Sequence, residues 1–238
     1  MTALSYVGSE LELFAKATNW KAYYARYLKR YLVGDVLEVG AGIGATTEAL
    51  CDGSQDRWVC LEPDIEMGSR LKKRIGEGQL PGCCEAITGV ITRLDPGETF
   101  DAIIYIDVLE HIEADREELE AAASRLKRSG SLIILSPAHG WLYTPFDKAI
   151  GHFRRYDKKT LSGIIPEGLE CERLIYLDSV GMLASLGNQL VLKSSMPGDR
   201  QIAFWDKTMI PLSMLIDPML GYRVGKSVLG VWRNGRRR

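Results

Sequence analysis

The sequence predicts an α/β fold, a mostly parallel sheet with helices on both faces, and three observations carry that prediction. Short apolar runs without polar alternation recur between helical segments, which is how strands read when helices cover both sides of them. The first run, VLEVG at 36–40, passes directly into a glycine triplet, Gly40, Gly42 and Gly44, and then into a Thr-initiated helical stretch. A helical segment at 113–127 carries Leu119, Ala122, Ala123 and Leu126 on one stripe, and the next apolar run follows it at once.

In chain order, residues 10–32 read as one aromatic amphipathic helix, with Leu13, Phe14, Ala17, Tyr24, Tyr27, Leu28 and Tyr31 at three- and four-residue steps. Strands are expected at VLEVG (36–40), WVCLE (58–62), EAITG (85–89), DAIIYID (101–107) and SLIILS (131–136), with Arg128 to Gly130 ending the preceding helix. Beyond Pro137, DKKTLSGII reads as a short capped helix and CERLIYL and KSVLGVW as two late strands. Residues 181–221 read as a mixed helical insertion rich in Met, Leu and Pro, and within it the apolar stretch 202–220 has core packing as its default role and a hydrophobic acceptor or a homodimer partner as alternatives. Without repeat or linker, the chain reads as one domain, 1–238, divided into an N-terminal helical lid (1–33), a cofactor-binding core (34–140) and a substrate-side region (141–238).

Composition narrows the function classes. The chain is 46% apolar and 26% charged with a formal charge of -1, which gives no overall attraction to nucleic acid or to an anionic membrane. The terminal RNGRRR is read as a solvated end. Five cysteines, Cys51, Cys60, Cys83, Cys84 and Cys171, lack zinc spacing, and the adjacent Cys83 and Cys84 should face opposite ways on a strand, so reduced thiols in the cytoplasm are expected. The beginning of the chain lacks the pattern of a signal peptide, and no run approaches the roughly 18 apolar residues of a membrane helix.

A glycine triplet between a buried strand and a helix lets backbone N–H groups approach a nucleotide-like ligand. The letters also satisfy the dinucleotide pattern G-x-G-x-x-A, with Glu62 twenty positions past Gly42, so a nicotinamide oxidoreductase is the rival reading. Glu38, two residues before the first glycine, is the wrong sign to sit beside a pyrophosphate and favours a cationic ligand. Glu62, ending the second strand, suits the two hydroxyls of a ribose.

Taken together, EVGAGIG, LEPD, FDAIIYIDVLEHI and GSLIILSPAH resemble the successive motifs of class I S-adenosylmethionine-dependent methyltransferases, and DVLEHI looks most like the branch containing the ubiquinone-pathway O-methyltransferases. The resemblance covers about residues 34–140. It implies a Rossmann-like seven-stranded sheet of order 3-2-1-4-5-7-6 with the last strand antiparallel, S-adenosylmethionine as cofactor, and a small-molecule acceptor. Trp20, Tyr24, Glu38, Gly40, Ala41, Gly42, Gly44, Glu62, Pro63, Gly89, Val90, Asp107 and Val108 are the cofactor-binding candidates. Where many members carry an acidic residue for adenine, this chain has Thr88 and Gly89. The metal set of the catechol-type enzymes is also missing, so no metal is expected.

Methyl transfer needs side-chain chemistry only where the acceptor must lose a proton, and a hydroxyl acceptor calls for a base near neutrality. The chain has three histidines, His111, His139 and His152, all after the fourth and fifth strands where open α/β sheets bind ligands. The stretch DKAIGHFRRYDKKTL adds Arg155 for a polar part of the substrate and Tyr156 beside the base. The resulting expectation is His152, His111 and Tyr156 as catalytic, and His139, Tyr143 and Arg155 as substrate-binding. A partnerless cofactor-binding homologue is the non-enzymatic alternative.

Overall fold

The computed structural model describes residues 10–187 and 198–235, so the first nine residues, part of the insertion and the final three arginines lie outside the described residues. Seven strands form one sheet in the order 3-2-1-4-5-7-6: β1 (Asp35–Val39), β2 (Arg57–Glu62), β3 (Cys84–Thr88), β4 (Phe100–Ile106), β5 (Leu126–Pro137), β6 (Leu169–Leu177) and β7 (Ser227–Asn234). The pairings within β1 to β5 are parallel, and β7 runs antiparallel to both β5 and β6. The expected fold is the observed one.

Alternation along the strands sends side chains to two cores. On one face Val36, Cys60, Ile104 and Ile133 pack with Trp20, Tyr24 and Leu28 of α2 (Thr18–Leu28). On the other, Leu37, Val59, Ile103 and Tyr105 pack with Leu119 and Ala122 of α5 (Asp115–Ser124). Burial on both faces explains why these strands read as continuous apolar runs.

Three expectations are corrected. The N-terminal helix is broken in two: α1 (Glu10–Ala15) ends before Lys16, and α2 starts at Thr18. The break is held by distant chemistry, because Lys21 Nζ donates to the carbonyls of Phe14 and Ala15, and the Asn19 and Trp20 N–H groups donate to the carboxylate of Asp206. Second, Arg128 to Gly130 do not end α5, which stops at Ser124; they lie inside β5, where the register jumps between the Phe100–Leu126 and Ala102–Ser131 pairs and Ser129 takes φ 62°. Gly130 is required there, since a Cβ would meet the Lys127 carbonyl oxygen at 2.9 Å. Third, Cys83 and Cys84 both approach Cys51, at Sγ–Sγ distances of 3.5 and 3.6 Å, because β3 begins only at Cys84; all five cysteines are free.

α3 (Ala45–Leu50) follows the glycine loop and α4 (Ile65–Gly76) follows β2. After β5 come α6 (Pro145–Ala149) and α7 (Lys158–Ser162), the latter capped by Asp157 as its sequence predicts. The insertion supplies α8 (Ser179–Gly187), α9 (Asp199–Phe204), a π-turn at Trp205–Met209 and α10 (Ile210–Met219); its residues 188–197 are outside the described set. Ile202, Trp205 and Ile210 join the core, while Leu212, Leu215 and Met219 are exposed. No helix among the described residues is long and apolar enough to cross a membrane.

Candidate functional site

β1 and β4 are neighbours, and their carboxyl ends open onto a cavity of about 640 Å³ at the point where strand order reverses. Gly40, Ala41 and Gly42 form one wall, with Trp20, Lys21 and Tyr24 of α2 over it. Opposite stand Asp107, Glu110 and His111 after β4, and Asp147, His152 and Arg155 from the loop that follows β5. Apolar residues of the insertion, Ile202, Phe204, Trp205 and Met209, close the remaining side. The cavity is thus charged at its base and apolar at its flank.

The glycine loop is shaped by its backbone. Gly40, Gly42 and Gly44 take φ of 69°, 55° and 80°, a region that side-chain-bearing residues enter at a cost. A Cβ on Gly40 would strike Val108 at 2.6 Å, so Val108 supports the loop from behind. Gly44 caps α3 against Leu71, where a Cβ would approach to 2.7 Å; it is a packing residue and does not line the cavity. Glu62 braces the loop, its Oε2 accepting from the Gly42 N–H at 2.7 Å and its Oε1 from the Asp64 N–H at 2.8 Å. Each oxygen retains acceptor capacity for a second donor.

Glu38 lies under the loop. Its side chain points to the α3 face of β1, where Oε2 accepts from Thr47 Oγ1 at 2.7 Å and Trp58 Nε1 at 2.8 Å, and burial pushes its pKa up to about 7. It does not line the cavity, so its expected contact with a cationic ligand is replaced by a role in holding the loop. Glu62, Pro63, Gly89, Val90 and Val108 also stand outside the lining. The Gly89 N–H donates to the Glu62 carbonyl at 2.9 Å, fixing the end of β3 against β2, and Val90 is exposed. Trp20, Tyr24, Gly40, Ala41, Gly42 and Asp107 are brought together as the sequence predicts.

The acceptor side is organised around Asp147. This buried carboxylate caps α6 through Thr144 and receives Arg155 on both oxygens, from Nε at 2.8 Å and Nη2 at 3.0 Å. It also meets His152 Nδ1 at 2.9 Å. Burial raises its pKa, but the hydrogen bonds from His152, Arg155 and Thr144 outweigh burial and hold it well below the usual carboxylate range. Because Asp147 is ionised, the shared proton belongs to the imidazole, and Nε2 of His152 turns towards Glu110 Oε1, 3.9 Å away. Glu110 is fully buried; Ser136 Oγ donates to its Oε2 at 2.9 Å, and burial together with the charge of Asp107 pushes its pKa well up.

His111 packs edge-on against His152 with ring centroids 4.5 Å apart, and burial with the adjoining His152 lowers its pKa to about 4. Asp107, at φ 54°, is pushed up to about 6 by burial, with His152, Lys226 and Lys21 opposing the shift.

Three expected residues leave the site. Tyr156 follows Arg155 on an extended segment bridged to Ala138, so its side chain points the opposite way, is buried in the second core and donates to Asp115 Oδ2 at 2.7 Å. His139, at φ 65°, turns towards β7, where its Nε2 pairs with the Gly225 carbonyl at 3.0 Å, and it stacks on Trp141. Tyr143 spends its hydroxyl on the His152 carbonyl at 2.6 Å. Sequence reasoning in turn missed Glu110, Lys21 and Lys226, all of which line the cavity. Glu110 had a signal: it shares a single turn, Leu109–His111, with a histidine already singled out.

Residues 36–130 match a family model described as a methyltransferase domain. No curated protein matches the chain. Among solved structures, the N-methyltransferase NodS from Bradyrhizobium japonicum WM9, in complex with S-adenosyl-L-homocysteine, is similar with a TM-score of 0.63 at 15% identity, over 97% of this chain and 95% of its own. An S-adenosylmethionine-dependent methyltransferase from Clostridium acetobutylicum gives 0.60 at 12%, over 95% and 98%. A chain of the Haloferax volcanii complex of the Trm112 methyltransferase activator with a methyltransferase gives 0.62 at 16%, over 97% and 100%. At these identities the likeness is one of fold. Residues 36–130 thus match a methyltransferase domain, and the chain as a whole shares the fold of these enzymes. Nothing in it singles out the ubiquinone-pathway branch or favours the oxidoreductase reading.

Proposed function

We propose that this methyltransferase domain methylates a hydroxyl oxygen of a small amphipathic molecule, with the lid over the glycine loop and the acceptor between that loop and the 147–156 segment. The observation that carries the reading is the buried His152, held by Asp147 and facing the cavity beside Asp107 and Glu110. When bound, S-adenosylmethionine supplies an electrophilic methyl group on a sulfonium. The loop fits such a group: Gly40 and Gly42 present bare backbone to the cavity, and Glu62 keeps acceptor capacity at the end of β2 for ribose hydroxyls.

The residues then divide the work. Trp20 and Tyr24 exclude water from above, and the apolar flank of the insertion takes the body of the acceptor. His152 Nε2 takes the hydroxyl proton, its ring oriented and its positive form stabilised by Asp147. Arg155 lines the cavity but commits two donors to Asp147, so it fixes the loop before it binds any substrate. This reading keeps the division into lid, cofactor core and substrate-side region. It also fits a cytoplasmic enzyme.

A panel of phenols and long-chain alcohols, assayed for formation of S-adenosylhomocysteine, tests the reading. His152→Ala should lower kcat by roughly 10²–10⁴ with cofactor affinity unchanged. Turnover at the wild-type rate would remove His152 from the chemistry, and transfer only to amines would replace oxygen by nitrogen as the acceptor atom.

A further inference from the structure

Away from the cavity, at the amino ends of the strands, two tight turns face each other and bring three thiols together. The first runs from Cys51, at the end of α3, through Gly53 at φ 84° to Gln55. The second, Pro81 to Cys84, is closed by the Cys84 N–H donating to the Pro81 carbonyl at 3.0 Å. A Cβ on Gly53 would stand 3.7 Å from that of Pro81, so the two turns touch. Cys51 Sγ lies 3.5 Å from Cys83 Sγ and 3.6 Å from Cys84 Sγ, and all three sulfurs lie within 4.8 Å of one another. Strand alternation would part Cys83 from Cys84, but Cys83 precedes β3, and the Trp58 N–H holds its carbonyl at 2.8 Å. A fourth donor is aimed at the group. The buried Gln55 donates Nε2 to the Leu32 carbonyl at 3.0 Å, which turns its Oε1 towards Cys51 Sγ at 3.4 Å. A thiol is a weak donor, so this amide oxygen keeps most of its acceptor capacity.

We infer that Cys51, Cys83 and Cys84, with Gln55 Oε1 completing the set, form a structural binding site for a zinc ion. Zinc takes four ligands tetrahedrally, with sulfur at about 2.3 Å and oxygen at about 2.0–2.2 Å. On such an ion two sulfurs stand about 3.8 Å apart, and a sulfur and an oxygen about 3.6 Å. Those spacings are nearly present already, so small side-chain rotations close the donors around the ion. A set dominated by thiolates selects zinc over magnesium, calcium and manganese. Binding forms three zinc–sulfur bonds as three S–H bonds break, with the protons passing to solvent, and leaves one excess negative charge on the site. The half-buried Cys83 gives ion and protons their path and places that charge near water. None of the three cysteines lines the cavity, so the ion takes no part in methyl transfer. Its work is mechanical. β3 is an edge strand with β2 as its single neighbour, and α3 is the helix that opens from the glycine loop. An ion here ties the end of that helix to the start of that strand and braces the cofactor half from the end remote from the cavity.

The spacing conceals the site, because Cys51 stands 32 positions before a vicinal pair and no C-x-x-C occurs. Cobalt(II) is the probe, since it occupies tetrahedral thiolate sites and its charge-transfer absorption reports bonds to sulfur. Full-length protein, reduced and freed of metal by a chelator, is titrated with cobalt(II) in the absence of cofactor. One equivalent should bind with thiolate-to-cobalt absorption in the near ultraviolet, and one equivalent of zinc should abolish that absorption. Cys51→Ala and Cys83→Ala should each weaken binding by tenfold or more, while Cys171→Ala, at the exposed cysteine of β6, should bind as wild type. Circular dichroism of each metal-free variant establishes that it is folded, and should Cys51→Ala fail to fold, the half-buried Cys83→Ala decides alone. Zinc should raise the thermal unfolding midpoint of the wild type and leave that of Cys83→Ala unchanged. Absence of the charge-transfer band at one equivalent, or binding indifferent to these replacements in folded protein, overturns the inference.

Discussion

The two sides of the cavity are built by different means. On the cofactor side, neighbouring strands do almost everything: Gly40 and Gly42 leave β1, Glu62 leaves β2, and a backbone N–H joins them. On the acceptor side, one loop, one turn and one insertion converge, and the geometry is fixed by side chains, above all Asp147 with Thr144, His152 and Arg155. Backbone construction shows up as short local patterns. Side-chain construction depends on which way each residue turns, and consecutive residues such as Arg155 and Tyr156 turn to opposite sides.

The contrast predicts that polar substitutions on the two sides have effects of opposite sign. Asp147→Asn should be the most damaging. It removes the charge that pairs Arg155 and orients His152, and breaking a buried pair by deleting one partner costs about 3–5 kcal/mol. Chemical denaturation would show it as a lower midpoint at unchanged slope, and a loss under 1 kcal/mol would mean that the acceptor side is less dependent on side chains than its geometry indicates.

Glu38→Gln should stabilise the protein. With its folded pKa raised to about 7 from an ordinary 4.5, Glu38 holds a proton in the folded state that the unfolded chain has released, so folding stability is largest below about pH 4.5 and declines as pH rises through 7. The full decline for an isolated group of this kind is about 3 kcal/mol. Gln keeps an oxygen for Thr47 and Trp58 without the ionisation, so denaturation at pH 8 should show a gain approaching that amount and a flatter profile between pH 5 and 7. An unchanged profile would place the charge cost elsewhere.

Tyr156→Phe should do least, about 1 kcal/mol for one hydrogen bond, because Asp115 keeps its ion pair with Arg154. Turnover of this variant at the wild-type rate, followed with any acceptor the protein accepts, is the expected result; a loss of tenfold or more would return the phenol to the active site.

How much could be read in advance follows from the same contrast. The inner strands were legible because burial on both faces leaves a continuous apolar signature, the half-exposed edge strands β3 and β6 were legible as shorter apolar runs, and the order followed from the motifs they carry. Within the site, Gly40, Gly42, Asp107, His111, His152 and Arg155 were found by motif and by place at strand ends. Glu110 was passed over because an acid beside a predicted helix start reads as a solvated cap, and only the turn Leu109–His111 sends it inward. His139 and Tyr143 were misplaced because a positive φ and a carbonyl of the neighbouring loop decide where they go. The break at Lys16 was invisible for a plainer reason, its partner being Asp206.

That partner has a consequence for the order in which the molecule is made. Translation delivers α2 among the first segments, yet the carboxylate that receives its opening N–H groups arrives 186 residues later, and Tyr23 waits still longer for its acceptor, Asp217. A nascent chain can therefore complete the sheet up to β5, with α2 packed on it through Trp20, Tyr24 and Leu28, while the opening N–H groups of that helix still lack their acceptor. The covering over the glycine loop is secured only when the insertion has left the ribosome, so a chain truncated before residue 206 would present an open cavity however well its strands had paired.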